Sequence, residues 1–447
     1  MLGFDTIVAE CTAPYKSALS IIRLSGNDSN RIVSNMLRQK LDTFEPSKAY
    51  HVGIYKDAKD TSTLIDKALV IYFEGAHSFC GEDTFEFYVH GSRVIVNELI
   101  DTLIENGARR AQGGEFSYKA YFNNKLELVE SEAINDLINA RTKRSKDFAL
   151  KTLNGENTKV LFDLKKKLNL LSAEIEVNID YPEFDEDANL IEKTKELLPD
   201  LIKSAKNLQA GSKQSLYLFN GVKVAIVGEP NVGKSTLLNK ILGYNKAIVT
   251  NIPGTTRDIV EGEKEIDGII FKFLDTAGIR SKADEIEKIG IEKSKEITKE
   301  ADIILVLSDK GHFEDLESLG IDEELKTKPV IYVGSKSDLN NSATNADILI
   351  SKDDESLEKL FKLIQSKLDL ISDDRQGFTS KRDLDLLNKF VYVWDSIDED
   401  LNNYITIDVV EIKLVEATKI LDELIGKTEN SLDDVYDTIF KNFCVGK

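Results

Sequence analysis

A glycine-rich segment behind an apolar run constrains the fold of this chain more than any other feature. The run "VKVAIVG" continues into "EPNVGKST", which leaves four residues between Gly228 and Gly233 and places Lys234 and Ser235 directly behind them. Glycines let backbone N–H groups close around phosphates, the lysine neutralises phosphate charge, and the serine is a Mg²⁺ ligand. The segment therefore predicts a phosphate-binding loop between a buried strand and the start of a helix.

The same part of the chain contains three further apolar runs, "IIFKFLD", "ADIILVLSD" and "KPVIYVGSK". Near-continuous apolar runs are typical of strands buried on both faces of a parallel sheet. Helical patterns lie between these runs, and the alternation indicates a doubly wound α/β domain. We predict that this nucleotide-binding domain spans residues 216–370.

The segments behind these strands indicate which nucleotide is bound. In "FLDTAG", Asp275 would belong to the Mg²⁺ shell and the Gly278 N–H would donate to the γ-phosphate. "GSKSDL" resembles the guanine-reading N-K-x-D motif of GTPases, with Ser335 in place of the asparagine. Asp338 would accept hydrogen bonds from the guanine N1–H and N2 amine, which adenine lacks. GTP is therefore the expected nucleotide, and an ATP-driven motor is disfavoured.

Two segments bear on hydrolysis. The loop "IVTNIPGTTRD" can close Thr255 and Thr256 on the γ-phosphate and Mg²⁺. Ras-like enzymes place a water-orienting glutamine directly behind "DTAG", and Ile279 stands there instead. Glu285 and Glu287 follow, and the residues alone leave open whether either orients water or is a surface charge.

Residues 1–120 have a different texture. The short alternating runs "SALSIIRLSG", "KALVIYFEG" and "DTFEFYVHGS" each end near glycine and predict strands. "RIVSNML" and "RVIVNELIDTLIENG" predict helices between them. We therefore expect an N-terminal α+β domain.

Residues 121–215 and 371–447 have the period of a helix. Apolar residues recur at alternating spacings of three and four in two stretches, and Gly426 then fits the position after a helix end, where glycine adopts the left-handed conformation cheaply. The economical architecture is one discontinuous helical domain with the P-loop α/β domain inserted into it, which makes the chain a multidomain α+β and α/β protein. The two seams are Leu161, Leu164, Leu168, Leu171 and Ile175, and Val410, Leu414, Ala417, Leu421 and Leu424.

Composition narrows the setting in which the chain works. The 447 residues carry a net charge of −20, which argues against indiscriminate nucleic-acid binding but allows a local basic patch. Three cysteines, Cys11, Cys80 and Cys444, form no C-x-x-C pair, so we expect a reducing, cytoplasmic compartment and no zinc site. We expect no signal peptide and no membrane span. The ending "NFCVGK" does not match the C-terminal C-a-a-X motif for prenylation.

Motifs along the whole chain resemble the MnmE (TrmE) family of tRNA modification GTPases. "DTIVAECTAPYKSALSIIRLSG" resembles the family's opening segment, and "SFCGEDTFEFYVHGS" resembles its S-F-x-G-E-D…H-G stretch. "GGEFSYKAYFNNKLELVESEAINDLINA" and the terminal "NFCVGK" resemble two further family segments. The opening segment departs from the family, because no glycine stands between Glu10 and Leu24.

The resemblance implies an activity and its partners. It implies GTP hydrolysis stimulated by potassium through pairing of two GTPase domains, in a homodimer formed by domain 1–120. That domain would also bind a tetrahydrofolate one-carbon derivative. It implies a heterotetrameric complex with an FAD-dependent subunit. This complex would add an aminomethyl or carboxymethylaminomethyl group to carbon 5 of the tRNA wobble uridine.

The resemblance also implies roles for individual residues. Glu287 would orient the attacking water, and Cys444 would be needed for tRNA modification, as a nucleophile or through packing. Mg²⁺ would be held by Ser235 and Thr256. Potassium would be held by Asn231, Thr250, Ile252 and Thr255, and folate by Arg23, Glu82, Lys125 and Lys447. The implied GTP site comprises Asn231, Val232, Gly233, Lys234, Ser235, Thr236, Thr250, Asn251, Ile252, Pro253, Gly254, Thr255, Thr256, Asp275, Thr276, Ala277, Gly278, Ser335, Lys336, Ser337 and Asp338.

Two questions remain open at this point. The segment "ARTKRSKDFALK" clusters basic residues in an acidic chain, and it is either a solvated helix face or a contact for tRNA or a partner. The alternative function is a GTP-binding switch in ribosome or ribonucleoprotein assembly. Binding of a folate one-carbon carrier to domain 1–120 would favour the modification enzyme over the switch.

Overall fold

The structure is a computed structural model, and the part of the chain that it describes has several gaps. It describes residues 5–180, 187–229, 231–243, 262–275, 295–309, 321–335, 345–350, 354–370, 376–402, 407–426, 436 and 439–446.

A six-stranded sheet forms the N-terminal region, in the strand order β3-β4-β5-β2-β1-β6. Neighbouring strands are antiparallel except for β1 and β6, which are parallel. The three strands expected from alternating runs are confirmed as β2, β4 and β5. The strands are β1 (Ile7–Glu10), β2 (Leu19–Ser25), β3 (Ala49–Tyr55), β4 (Leu64–Phe73), β5 (Thr84–His90) and β6 (Arg109–Arg110).

One face of this sheet packs on two helices, α1 (Ser29–Ser34) and α2 (Arg93–Glu105), both expected from the sequence. The alternation in β5 turns Phe85, Phe87 and Val89 toward the helices, where all three are buried in one apolar core. Polar residues between them, such as Glu86, lie on the opposite face of the sheet. The sheet therefore has one apolar face and one face that carries charge.

Helices make up most of the remaining described residues outside the second sheet. All ten residues of the two expected seams are buried, and Gly426 has a φ of +88°, as its position behind a helix requires. The helical pattern is thus confirmed on both sides of the nucleotide-binding region. The helices are α3 (Glu115–Phe122), α4 (Leu128–Asn139), α5 (Lys143–Leu153), α6 (Glu156–Asp180) and α7 (Asp187–Asn220), and after the second sheet α11 (Lys381–Asn402) and α12 (Ile407–Ile425).

A second six-stranded sheet has the order β12-β11-β10-β7-β9-β8. All pairs are parallel except β8 with β9, which confirms the expected α/β domain. Helices α8 (Lys234–Gly243), α9 (Asp322–Thr327) and α10 (Glu355–Lys367) belong to it. Its strands are β7 (Val222–Gly228), β8 (Gly262–Ile266), β9 (Ile269–Asp275), β10 (Ile303–Ser308), β11 (Val330–Gly334) and β12 (Ile348–Leu349).

The chain packs as two compact units. The first comprises Met1–Ile138, Thr152–Lys165 and Thr418–Lys447, so the C-terminal residues belong with the N-terminal sheet. The second comprises Asn139–Lys151 and Lys166–Ala417. The division at residues 120, 215 and 370 stays a prediction. Within the described residues, no helix combines the length and apolar character needed to cross a bilayer.

Candidate functional site

The phosphate loop lies between the carboxyl end of β7 and the start of α8. Gly228, Asn231 and Gly233 have φ values of +153°, +63° and +105°. A Cβ on Gly228 would lie 2.5 Å from the Leu307 carbonyl oxygen, so only glycine fits there. The first turn of α8 thus starts beside a loop with left-handed residues, an arrangement that binds anions through backbone N–H groups.

Lys234 caps this loop. Its ammonium Nζ donates to the carbonyl oxygens of Gly228 at 2.8 Å and of Glu229 at 2.9 Å. The positive charge therefore lies over the loop, where phosphate groups of a nucleotide would be neutralised by it. Ser235 and Thr236 are exposed on the first turn of α8, so their hydroxyls are accessible to a ligand.

Ser335 contacts the same loop from the end of β11. Its hydroxyl donates to the Val232 carbonyl oxygen at 2.6 Å, and its own N–H donates to the Ser308 carbonyl oxygen at 2.9 Å. The first bond ties the segment expected to recognise guanine to the segment expected to bind phosphates. Sequence reasoning treated Ser335 only as a departure from the guanine motif and missed this contact.

Much of the predicted GTP site falls outside the described residues. Asp275 ends β9, at the carboxyl edge of the sheet beside β7, but its side chain is not among those described. The Ser235 hydroxyl oxygen is a ligand suited to Mg²⁺. Among the described residues, no group of three or more His, Cys, Asp or Glu side chains is placed to hold a metal ion. Outside the described part lie Thr250–Thr256, Thr276, Ala277, Gly278, Glu287, Lys336, Ser337, Asp338 and Lys447.

Arg23, one predicted folate residue, lies on the charged face of the N-terminal sheet. Its Nε and Nη2 donate to the Glu86 carboxylate at 3.0 and 2.8 Å. Its guanidinium also lies over the rings of Phe79 and Phe116, 5.4 and 5.5 Å from their centroids. The ion pair and the two rings hold this cation rigidly, which suits a ligand site.

Glu82 and Lys125, two further predicted folate residues, lie near one turn. Glu82 accepts from Nζ of the fully buried Lys119 at 2.7 Å. The Lys125 side chain lies beside Gly81, since a Cβ placed on that glycine would be 3.1 Å from Lys125 Cγ. The Lys125 ammonium donates to the Ala76 carbonyl oxygen. Since Arg23 rests on Phe79, the structure gathers all three residues around segment 79–82.

Sequence reasoning missed two residues of this cluster, Glu86 and Lys119. Glu86 had a signal, because it is a charged residue inside the alternating strand "DTFEFYVH". Its 8% exposure required a partner, since a buried carboxylate without one is costly. Lys119 had no comparable signal, because nothing local shows that its side chain is buried.

The C-terminal tail packs against the rest of the first unit. Tyr436 and Phe440 are buried with Tyr118, and the Gly114 N–H donates to the Cys444 carbonyl oxygen at 3.2 Å. Val445 forms an antiparallel bridge with Gly113. A short 3₁₀ helix covers Phe440–Asn442, and residues 427–435 before it lie outside the described part of the chain. The tail is therefore held on the first unit by side chains and backbone.

Cys444 is exposed at the rim of a cavity of about 620 Å³. Cys11 lines the same cavity, and its thiol donates to the Gly446 carbonyl oxygen at 3.3 Å. Arg93 is also in the lining and donates to both carboxylate oxygens of Glu10. Cys80 differs, because burial raises the pKa of its thiol to about 11 and keeps it protonated. Of the three cysteines, Cys444 is the most exposed, Cys11 is partly exposed in the lining of the same cavity, and Cys80 is buried.

Comparison with known proteins decides the family. A model of the MnmE helical domain matches residues 128–444, and a model of the GTP-binding protein TrmE N-terminus matches residues 6–125. The chain belongs to the MnmE family. It is 37% identical to the tRNA modification GTPase MnmE of Mycoplasma mobile over 99% of this chain and 100% of that protein.

Other MnmE relatives agree over the full length. The MnmE of Thermotoga maritima is 36% identical over 99% of this chain and 100% of that protein. Among solved structures, Aquifex aeolicus Era is 29% identical, covering 38% of this chain and 66% of that chain, with a TM-score of 0.24. That score is too low to support the fold, which rests instead on strand order and loop geometry. The fold class expected from the sequence is thereby confirmed.

Proposed function

We propose that this chain hydrolyses GTP as part of the modification of carbon 5 of the tRNA wobble uridine. Its membership of the MnmE family makes it a tRNA modification GTPase. The observation that carries the proposal is the phosphate loop between β7 and α8. Its left-handed residues and the Lys234 ammonium form an anion site at the edge of a parallel sheet, where nucleotides bind.

Residues of the loop also support a role in hydrolysis. Mg²⁺ bound with GTP neutralises charge that develops on the phosphates, and Ser235 and Thr256 would hold it. Asn231 is exposed on the loop itself. Its amide oxygen would be one potassium ligand, and Thr250, Ile252 and Thr255, which lie outside the described residues, would supply the others. Glu287 would orient water in place of the missing glutamine.

The first unit would supply the one-carbon chemistry. Folate derivatives carry glutamate carboxylates, and the clustered Arg23 and Lys125 are cations suited to bind them, with Glu82 beside them. Cys444, on the docked tail, and Lys447, which lies outside the described residues, would act at the same unit. We propose that domain 1–120 forms a homodimer and that the dimer joins an FAD-dependent subunit as a cytoplasmic heterotetramer.

Potassium dependence of GTP turnover tests this proposal. The rate should be at least about tenfold higher in KCl than in NaCl at equal ionic strength, equivalent to ~1.4 kcal/mol of barrier. Asn231→Lys should abolish the difference, because its ammonium competes with the cation. Glu287→Ala should lower the rate in both salts. Asn239→Lys, on an exposed position of α8, is the matched control and should keep the difference.

Equal wild-type rates in the two salts would contradict the potassium cage. Loss of the difference in Asn239→Lys as well would show that added charge near α8, rather than the cation site, is responsible.

A further inference from the structure

A cavity of about 1100 Å³ opens in the second unit at the edge of the sheet opposite the phosphate loop. Lys223 is the second residue of β7, and Asp302 and Pro329 directly precede β10 and β11. These residues mark the amino ends of parallel strands, whereas the phosphate loop follows the carboxyl end of β7. The cavity is therefore separate from the nucleotide site.

Five elements each contribute one lysine to the lining of this cavity. The carboxylates in the lining are three, Glu300, Asp302 and Asp369. The surplus is positive in a chain whose net charge is −20. The lysines are Lys213 from α7, Lys223 from β7, Lys272 from β9, Lys367 from α10 and Lys381 from α11.

Several of these lysines stand where their charge is unfavourable without an anion. Lys223 and Lys272 are register partners on adjacent strands, and like charges placed side by side repel. Lys381 opens α11, at the positive end of the helix dipole. Placements that cost stability and are nonetheless present are characteristic of functional positions.

The carboxylates compensate only part of this charge. Lys223 forms an ion pair with Glu300 at 3.2 Å, and Asp302 accepts from the Lys223 backbone N–H at 2.7 Å. Across the described ranges, Lys213, Lys367 and Lys381 are exposed and no ion pair involves them. Their charges are available to a ligand that approaches from solvent.

The basic cluster seen in the sequence, residues 140–151, differs from this cavity. Arg141 forms an ion pair with Glu263 on β8, and an Arg144 Nη2 donates to the Leu370 carbonyl oxygen at 3.1 Å. Lys146 pairs with Asp147 at 2.9 Å. Both arginines are therefore used in packing, and of the basic residues in this segment only Lys143, Lys146 and Lys151 are exposed to solvent.

We propose that the lysine-lined cavity at the amino ends of β7, β10 and β11 binds the phosphate backbone of RNA, and specifically of the tRNA substrate. Lysines from five elements around 1100 Å³ suit several phosphates along a backbone better than one small anion. Lysine is a point charge without the fork that reads planar groups, which favours backbone contact over base recognition. The inference rests on the proposed function, because it takes tRNA as the substrate.

Salt-dependent tRNA binding tests the cavity. The full chain and the variant Lys213→Gln/Lys367→Gln/Lys381→Gln are titrated with a tRNA transcript at several KCl concentrations by fluorescence anisotropy. Each lost phosphate contact lowers the slope of log affinity against log salt by about 0.7 to 0.9. We therefore expect the slope to fall by about two to three. The matched control is Lys143→Gln/Lys146→Gln/Lys151→Gln, three exposed lysines of the same unit, which should keep the wild-type slope.

Thermal melting of both variants first shows that they fold. An unchanged slope in the cavity variant, or an equal fall in the control, overturns the inference while leaving the proposed function in place. Absence of tRNA binding by the wild-type chain overturns both. A third titration uses inorganic tripolyphosphate. If the cavity variant loses tripolyphosphate binding while its tRNA binding is unchanged, the cavity is assigned to a small polyphosphate and the inference is overturned.

Discussion

At the scale of single residues, Ser335 departs from the guanine motif of GTPases but contacts the phosphate loop. A serine cannot offer guanine the amide of the usual asparagine, but its hydroxyl bonds to the Val232 carbonyl oxygen at 2.6 Å. Residue 335 thus couples the segment expected to read the base to the phosphate loop.

Replacing Ser335 by alanine should weaken GDP binding. Loss of one hydrogen bond costs about 0.5–1.5 kcal/mol, so the dissociation constant should rise by about two- to tenfold. Ser335→Asn is the informative counterpart, because an amide can reach the same carbonyl and should bind GDP at least as tightly as wild type. Titration with a fluorescent GDP analogue measures both. Wild-type affinity in Ser335→Ala would show that the bond to Val232 does not support nucleotide binding.

At the scale of elements, the C-terminal tail depends on glycines at its contacts. Gly114 has a φ of +67°, and a Cβ there would lie 2.2 Å from the Phe440 carbonyl oxygen. Gly446 has a φ of +96°, and a Cβ there would lie 2.7 Å from the Glu10 carbonyl oxygen. Backbone approaches backbone at both points. A methyl group added at either glycine would therefore push the tail away from the residues on which it packs.

Gly446→Ala should loosen the tail without unfolding the chain. The left-handed conformation costs alanine about 1–2 kcal/mol, to which the contact with Glu10 adds. Carboxypeptidase should then release the terminal residues about tenfold faster. Gly243→Ala is the control, because a Cβ there has nothing within 4 Å, and it should leave the release rate unchanged. Equal rates for wild type and Gly446→Ala would contradict close docking at Gly446.

At the scale of the whole molecule, the second unit extends beyond residues 216–370. The Thr142 hydroxyl donates to the Gly268 carbonyl oxygen at 2.8 Å, and Arg141 pairs with Glu263. Phe148 packs edge-on against Phe219 with ring centroids 6.1 Å apart. A segment around α5, distant in sequence, therefore covers part of the nucleotide-binding sheet.

An excised fragment 216–370 should melt at a lower temperature than the second unit does in the full chain. Excision exposes apolar surface under Phe148 and leaves Glu263 without its partner, so a loss of a few kcal/mol corresponds to a shift of several degrees. A peptide of residues 139–153 added in trans should raise the midpoint, and a scrambled peptide should not. A fragment as stable as the full chain would show that the predicted boundaries enclose a complete domain.

Local patterns were sufficient to predict seven of the twelve described strands, several helices and the phosphate loop. The alternation in "DTFEFYVH" gave β5, the seam from Leu161 to Ile175 gave α6, and the glycine spacing located the loop before Lys234. Each of these signals is carried by consecutive residues, because periodicity and backbone conformation are set by neighbours in sequence. The role of Glu287 was implied by family resemblance alone and stays a prediction.

The sequence by itself thus determined three strands of the first sheet, four strands of the second, the two helical seams, the position of the anion-binding loop and the family. Only the tertiary structure decided which distant side chains meet. Arg23 and Glu86 are 63 residues apart, and Ser335 and Val232 are 103 apart. The lysine-lined cavity draws on five separate elements. Such meetings depend on strand order and on packing between elements, and hydrophobic periodicity specifies which face of an element is buried but not what lies against it.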